Sequence, residues 1–283
     1  MTTQSESAVR SVDIGPTDIA KVADGINALY DNTLDVIVVR NALPGAPLAA
    51  TAERLDGGAG EPVWSRPNAP SPTDNIQLLG TPATPTYTSP KGPSQDAYLA
   101  TANWYDANPI FEPAFDPTAA ITRALEQLAG GRRVEILHFP NGRAFAPFTV
   151  RKLAAGQGIS LHHDYHFPIA LFGEIAPQLD TRTLVSFFVT LRRPESGGEL
   201  FAYPVDQDVP NPPKLPNGWA WDLPAVEQRF GSTPFTMDVG DLFVFASGRL
   251  LHRVAPTVGP RSRITMGGFL ALDKARERVL FWS

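Results

Sequence analysis

Proline and glycine, 28 and 23 residues of 283, constrain this chain more than any other feature, because a helix interior tolerates neither. A β-core joined by many turns accommodates them, so the punctuation argues for a mainly β fold with flanking helices. Short apolar runs between turn residues read as strands at 134–139, 148–153, 159–164, 184–191, 199–205, 242–245, 250–254 and 263–272. Eight such strands suggest a double-stranded β-helix, the cupin-like jelly roll.

The first half differs in character. Ile19, Val22, Ile26 and Leu29 are spaced as on an amphipathic helix over 17–32. Residues 34–40 read as a strand, and 47–55 and 117–128 as helices closed by paired glycines. The Pro-, Thr- and Ser-rich stretch 61–94 is long for a loop, which suggests a lid-like segment. The organisation expected is one domain over 1–283, with a helical and loop part at 1–132 and a jelly-roll core at 133–283. A chain of this length and ordinary 43% apolar content can bury a sizeable core without staples.

Composition closes several routes. With no cysteine there is no disulfide framework, thiolate metal site or cysteine nucleophile. A net charge of −5 without a basic run speaks against a nucleic-acid partner. No apolar run is long enough to span a membrane, and residues 1–13 lack the pattern of a signal peptide, so a cytoplasmic location is expected. The partner expected is a small-molecule substrate. Oligomeric state is not legible, a homodimer being one option.

Three of the five histidines crowd into Leu161-His162-His163-Asp164-Tyr165-His166. Side chains two apart on a strand share a face, which aligns His162 with Asp164 and turns His163 away. Imidazole and carboxylate are metal ligands, and His252, ninety positions on in Leu-Leu-His-Arg-Val, is the best third. Two histidines and one carboxylate form the facial set of non-haem Fe(II) oxygenases, leaving three positions for a chelating co-substrate and O2. Eleven residues past His252, Arg263 and Thr265 share a strand face. A guanidinium fork beside a hydroxyl suits the far carboxylate of 2-oxoglutarate, with Arg261 as the reserve. Taken singly, each signal has a bland reading as a core histidine or a solvated arginine; their order along the chain carries the case. The glycines of 195–200 and Gly240-Asp241 read as turns with no need to touch a ligand.

These stretches, ISLHHDYHF, RRPESGGELFAYPV, GDLFVFASGRLLHRV, RSRITMGGFLAL and DKARERVLFWS, resemble the 2-oxoglutarate-dependent oxygenases. More narrowly they are similar to the carrier-independent aliphatic halogenases acting on indole alkaloids of the welwitindolinone type, and to hydroxylase relatives acting on N-acyl amino acids. The resemblance implies iron on His162 and His252 and 2-oxoglutarate on Arg263. It also exposes a departure: those halogenases carry glycine where this chain has Asp164, so hydroxylation is favoured over chlorination.

The expected activity is C–H hydroxylation of a free amino acid derivative such as an N-acyl amino acid, using Fe(II), 2-oxoglutarate and O2. A halogenase or desaturase working on a natural-product scaffold is the alternative. A zinc hydrolase or a non-catalytic metal-binding jelly roll is the alternative of another class. Candidate substrate residues are Tyr165, His166, Phe167, Phe145 and Arg151, with Trp104 and Tyr105 as further wall candidates; core packing is the competing reading for the aromatics.

Overall fold

The computed structural model describes residues 8–56, 76–80, 82–84, 92–102, 110–164, 173, 175–218 and 220–283. Strands are numbered in chain order. The larger sheet runs β1 (Ser11–Ile14), β2 (Val36–Val39), β11 (Leu242–Phe245), β7 (Val185–Arg192), β14 (Arg263–Leu272). Beyond β14 it divides. β5 (Thr149–Leu153), with β3 (Gln77–Leu79) outside it, pairs with the first half of β14; β15 (Arg278–Trp282), with β4 (Arg133–Ile136) outside it, pairs with the second. The smaller sheet runs β10 (Thr233–Phe235), β9 (Leu200–Tyr203), β12 (Leu251–Val254), β6 (Ile159–His162). β8 (Ser196–Gly197) and β13 (Thr257–Val258) form a separate ribbon.

Alternation decides which residues meet between the sheets. Val36, Val38, Phe243 and Phe245 from the larger sheet bury with Leu200 and Ala202 from the smaller. The intervening Ile37, Val39, Leu242 and Val244 face the other way, into a core roofed by helices α1 (Gly25–Tyr30), α2 (Gly45–Asp56) and α4 (Pro117–Glu126). Because both faces of the larger sheet are covered, β14 is buried at all ten positions, and apart from Arg263 and Thr265 it is made of apolar residues and glycine. On the smaller sheet, the outward Phe201, Tyr203 and Leu251 pack against α5 (Leu223–Phe230). Each large side chain so buried contributes roughly 1.5–3 kcal/mol, an upper bound because the unfolded chain is itself partly collapsed.

Helix ends follow local chemistry. Asp116 accepts the Ala119 N–H at 3.0 Å to start α4, and Asp222 accepts that of Ala225 at 3.2 Å to start α5. The single helix expected over 17–32 is instead a 3-10 turn, Pro16–Val22, followed by α1. The break has a packing cause: a Cβ at Gly25 would lie 2.6 Å from Ile37 Cδ1, so the chain bends in against β2. The lid-like stretch 61–94 is not all loop. Its described part includes β3, hydrogen-bonded into the larger sheet, while 57–75, 81 and 85–91 lie outside the described residues. Helix α3 (Gln95–Ala102), α5 and the strands β1 and β15 also went unread in the sequence.

Candidate metal and co-substrate site

His162 ends β6 and His252 lies in β12, directly opposite it in the antiparallel register. Their neighbours Leu161 and Leu251 point outward under α5, so both imidazoles point between the sheets. The ring centroids stand 4.3 Å apart. Each Nδ1 sits against the carbonyl two residues earlier, Ser160 at 2.7 Å and Leu250 at 2.8 Å. A carbonyl oxygen only accepts, so each Nδ1 carries the proton and each Nε2 keeps its lone pair for a cation. Phe245 stands edge-on to His252, with centroids 4.8 Å apart, and walls that side.

Asp164 follows two residues after His162, beyond the strand end. Its N–H donates to the Ser247 carbonyl at 3.0 Å, and its Oδ2 accepts from Ser186 Oγ at 2.7 Å. Ser186 and Ser247 are themselves joined at 2.7 Å. Oδ1 lies 3.5 Å from His162 Nε2, and Oδ2 lies 3.9 Å from His252 Nε2. One ligand atom from each residue falls within 4.8 Å of the others. A cation held at about 2.0–2.2 Å from each donor needs spacings of this order. The donor set, two neutral imidazoles and one hydrogen-bonded carboxylate, fits a divalent first-row metal with open positions.

On the facing sheet, Arg263 opens β14 and is 7% exposed. Its guanidinium lies over the Phe188 ring, 5.2 Å from the centroid, and has no carboxylate partner among the described residues. Thr265 follows on the same face, opposite Thr190 of β7 in the register. Thr190 Oγ1 is buried and has no hydrogen-bond partner among the described residues. Arg263 and Thr190 line one pocket with residues 196–199 and 235–237. A buried cation and a buried hydroxyl, the one without a carboxylate and the other without a hydrogen-bond partner among the described residues, fit a carboxylate ligand. Gly198 is part of this construction. At φ +73°, a Cβ there would come within 3.1 Å of Arg263 Cδ and 3.0 Å of Pro194 Cγ, so the glycine turn makes room for the arginine stem. The turn expected to be only structural therefore shapes the pocket.

The family model described as carrier-protein-independent halogenase WelO5 matches residues 8–283. The chain belongs to this family. Among solved structures, the 2-oxoglutarate-bound N-substituted L-amino acid dioxygenase from Burkholderia ambifaria AMMD is 16% identical, with TM-score 0.51, covering 92% of this chain and 91% of that one. The non-haem epimerase SnoN of nogalamycin biosynthesis is 17% identical, with TM-score 0.50, covering 90% and 86%. Both likenesses concern the fold. No curated protein matches. Family and fold together place the chain among the 2-oxoglutarate- and Fe(II)-dependent oxygenases. No helix among the described residues is long and apolar enough to cross a membrane.

For this WelO5-family chain the other sequence candidates divide. Arg261 lies outside β14, exposed, and donates to the Pro194 carbonyl at 3.3 Å, so it does not share the face expected of it. Phe145 is 2% exposed and stacked on Phe139 at 4.0 Å in a core cluster with Tyr98, which is packing and not a pocket wall. His163 turns away, its Nε2 against the Val205 carbonyl at 2.9 Å. Arg151 faces inward beside Thr265. Tyr165, His166, Phe167, Trp104 and Tyr105 lie outside the described residues. Sequence reasoning missed Ser186, Ser247 and Thr190. The one available signal was that Ser186 and Thr190 alternate with large apolar residues along β7, the pattern of a strand whose inner face is partly polar.

The two imidazoles titrate differently. Burial, then the neighbouring His162, pushes His252 down to about 3, so it stays neutral at any working pH. Burial also works against a charged His162, but the hydrogen bond and charge of Asp164 outweigh it, and the net direction is upward. A proton on His162 competes with a metal. Metal affinity of the metal-free protein should therefore rise with pH through and above the ordinary imidazole range, with one proton released per ion. Calorimetric titration in two buffers of different ionisation enthalpy measures that number. Release of two protons would mean His252 is also charged.

Proposed function

We propose that the protein is an Fe(II)- and 2-oxoglutarate-dependent hydroxylase of a free small molecule, an amino acid derivative such as an N-acyl amino acid. The observation carrying this reading is Asp164. In the resemblance to the aliphatic halogenases that position is glycine; here a carboxylate, fixed by Ser186 Oγ at 2.7 Å, reaches the imidazole pair. Asp164 would thereby supply the third protein ligand, in place of the position that a glycine would leave to chloride.

Bound Fe(II) with 2-oxoglutarate and O2 supplies an oxidant able to take hydrogen from an unactivated carbon, 2-oxoglutarate leaving as succinate and CO2. The chain's own part is positional. His162, His252 and Asp164 would hold the cation through two imidazole nitrogens and one carboxylate oxygen. Ser186 and Ser247 keep Asp164 turned toward it, tying the smaller sheet's ligands to the larger sheet. Arg263, Thr265 and Thr190 anchor the co-substrate's far carboxylate, which fixes its oxo acid end relative to the metal. That anchor favours an oxygenase over a zinc hydrolase, which has no use for a buried guanidinium without an ion pair among the described residues.

Succinate release across N-acyl amino acids, free amino acids and alkaloid precursors tests the proposal, with products analysed under 18O2 and in excess chloride. A product enriched in 18O, formed with an amino acid derivative and without chlorinated species, is expected. A chlorinated product would sink the hydroxylase reading, and turnover only with alkaloid precursors would sink the substrate class.

A further inference from the structure

A run of phenyl rings joins the imidazole pair to the arginine. Phe245 stands edge-on to His252, and His162 lies 4.3 Å from the same imidazole. Phe188 lies under the Arg263 guanidinium, its centroid 5.2 Å away. Between these two phenyls sits Phe243, fully buried, stacked on Phe188 at 5.0 Å and tilted against Phe245 at 5.2 Å. Phe235, a wall of the Arg263 pocket, meets Phe243 edge-on, also at 5.2 Å. Phe243 is thus one ring removed from the imidazole, from the guanidinium and from the pocket wall.

Strand register puts it there. β11 turns Phe243 and Phe245 toward the smaller sheet, with Phe243 opposite Phe188 on β7 and Phe245 opposite Ser186, which holds Asp164. Two side chains on one strand, roughly 6.6 Å apart, so span the row of the arginine and the row of the imidazoles. Along β7, Phe188 is half-buried while its strand neighbours are buried, so its ring borders open space. A ring that carries a cation on one side and is only half covered needs backing, and stacking on Phe243 supplies it. A close-packed interior passes a shift from one side chain to the next. A shorter side chain at 243 leaves room into which Phe188 and Phe245 both relax, moving the guanidinium platform and the imidazole wall together.

We infer that Phe243 is a positioning residue shared by both binding functions, aiming His252 through Phe245 and Arg263 through Phe188. This rests on the metal and co-substrate readings above. It gives β11, which supplies no ligand of its own, the task of holding the distance between cation and acid anchor.

The test is anaerobic titration with Co(II), followed by calorimetric titration of the Co(II)-loaded protein with 2-oxoglutarate and with 2-oxobutyrate, which lacks the far carboxylate. The ratio of the two acid affinities isolates the arginine from any change at the metal. Loss of a group touching a metal ligand costs about 10- to 100-fold, and one ring further out about 3- to 10-fold is expected. Phe243→Leu should lower Co(II) affinity and the acid ratio each by that amount, and shift the visible Co(II) bands as His252 loosens. Phe281→Leu is the control, because that ring is equally buried but lies in the helix-covered core on the other face of the larger sheet. It should lower thermal stability comparably and leave both affinities and the bands unchanged. Phe243→Met keeps more of the volume and serves alone should Phe243→Leu fail to fold; an unbranched chain cannot back three rings, so the same two losses are expected. Unchanged affinities in the Phe243 variants, loss of only one of the two, or equal losses in Phe281→Leu would each make Phe243 plain core packing and overturn the inference. A wild type that binds no Co(II), or shows no preference for 2-oxoglutarate over 2-oxobutyrate, would instead sink the metal or co-substrate reading beneath it.

Discussion

His252→Ala should lose stoichiometric metal binding while remaining folded. The residue is 4% exposed and faces between the sheets, directly opposite His162. Its Nε2 carries a free lone pair because Nδ1 is held by the Leu250 carbonyl. Its neutrality persists to about pH 3, so at neutral pH it is always ready to bind. Removing it leaves one imidazole and one carboxylate, a pair common on protein surfaces and weak. Losing an outer partner of a metal ligand typically costs 10- to 100-fold in affinity, so losing a ligand should exceed about 100-fold. Ser186→Ala, which only releases Asp164, should stay inside that 10- to 100-fold range. Anaerobic titration with Fe(II), or with Co(II) as a coloured stand-in, reads both variants, and far-UV circular dichroism checks the fold. Retention of one tightly held ion by His252→Ala would show that the cation sits elsewhere, and the rest of the reading would go with it.

That His162, Asp164 and His252 come together was legible because the sequence offers few competitors. Five histidines and no cysteine leave little choice, and a period of two fixes which side chains share a face. The strands β7, β11, β12 and β14 were also legible, since apolar runs between turns are what buried strands look like. What failed depended on where a strand begins or what lies opposite it. Arg261 and Arg263 are spaced alike, but Pro260 and Ser262 belong to the turn, and the strand starts only at Arg263. Phe145 as pocket wall and Phe145 as core have the same sequence signature; only the stacking on Phe139 separates them. Ser186, Ser247 and Thr190 are ordinary residues whose roles appear once β7 lies beside β11 and β14. β1 and β4 each pair in parallel with distant partners, a non-local contact that no local pattern announces.

Arg263→Met should leave the ligand-free protein as stable as the wild type or more so, and abolish its stabilisation by 2-oxoglutarate. A guanidinium 7% exposed and without an ion pair among the described residues is costly to bury, and contact with the Phe188 face offsets only part of the cost. The sign follows from its lowered pKa. A cation whose folded value is pushed down to about 10 destabilises the folded state while charged, hence throughout the neutral range, with relief only as pH rises through that value. Methionine keeps much of the stem's packing and removes the charge. Binding should respond oppositely: truncating one side of a buried charge pair costs about 2–5 kcal/mol, a 30- to several-thousand-fold loss. At a 2-oxoglutarate concentration 100 times the wild-type Kd, the wild type gains about 2.7 kcal/mol and the variant should gain close to nothing at the 5 kcal/mol end and at most about 1 kcal/mol at the 2 kcal/mol end. Thermal unfolding of the metal-loaded proteins under anaerobic conditions, with and without 2-oxoglutarate, measures both quantities together. A variant that is several kcal/mol less stable without ligand, yet stabilised by 2-oxoglutarate as fully as the wild type, would make Arg263 a structural strut.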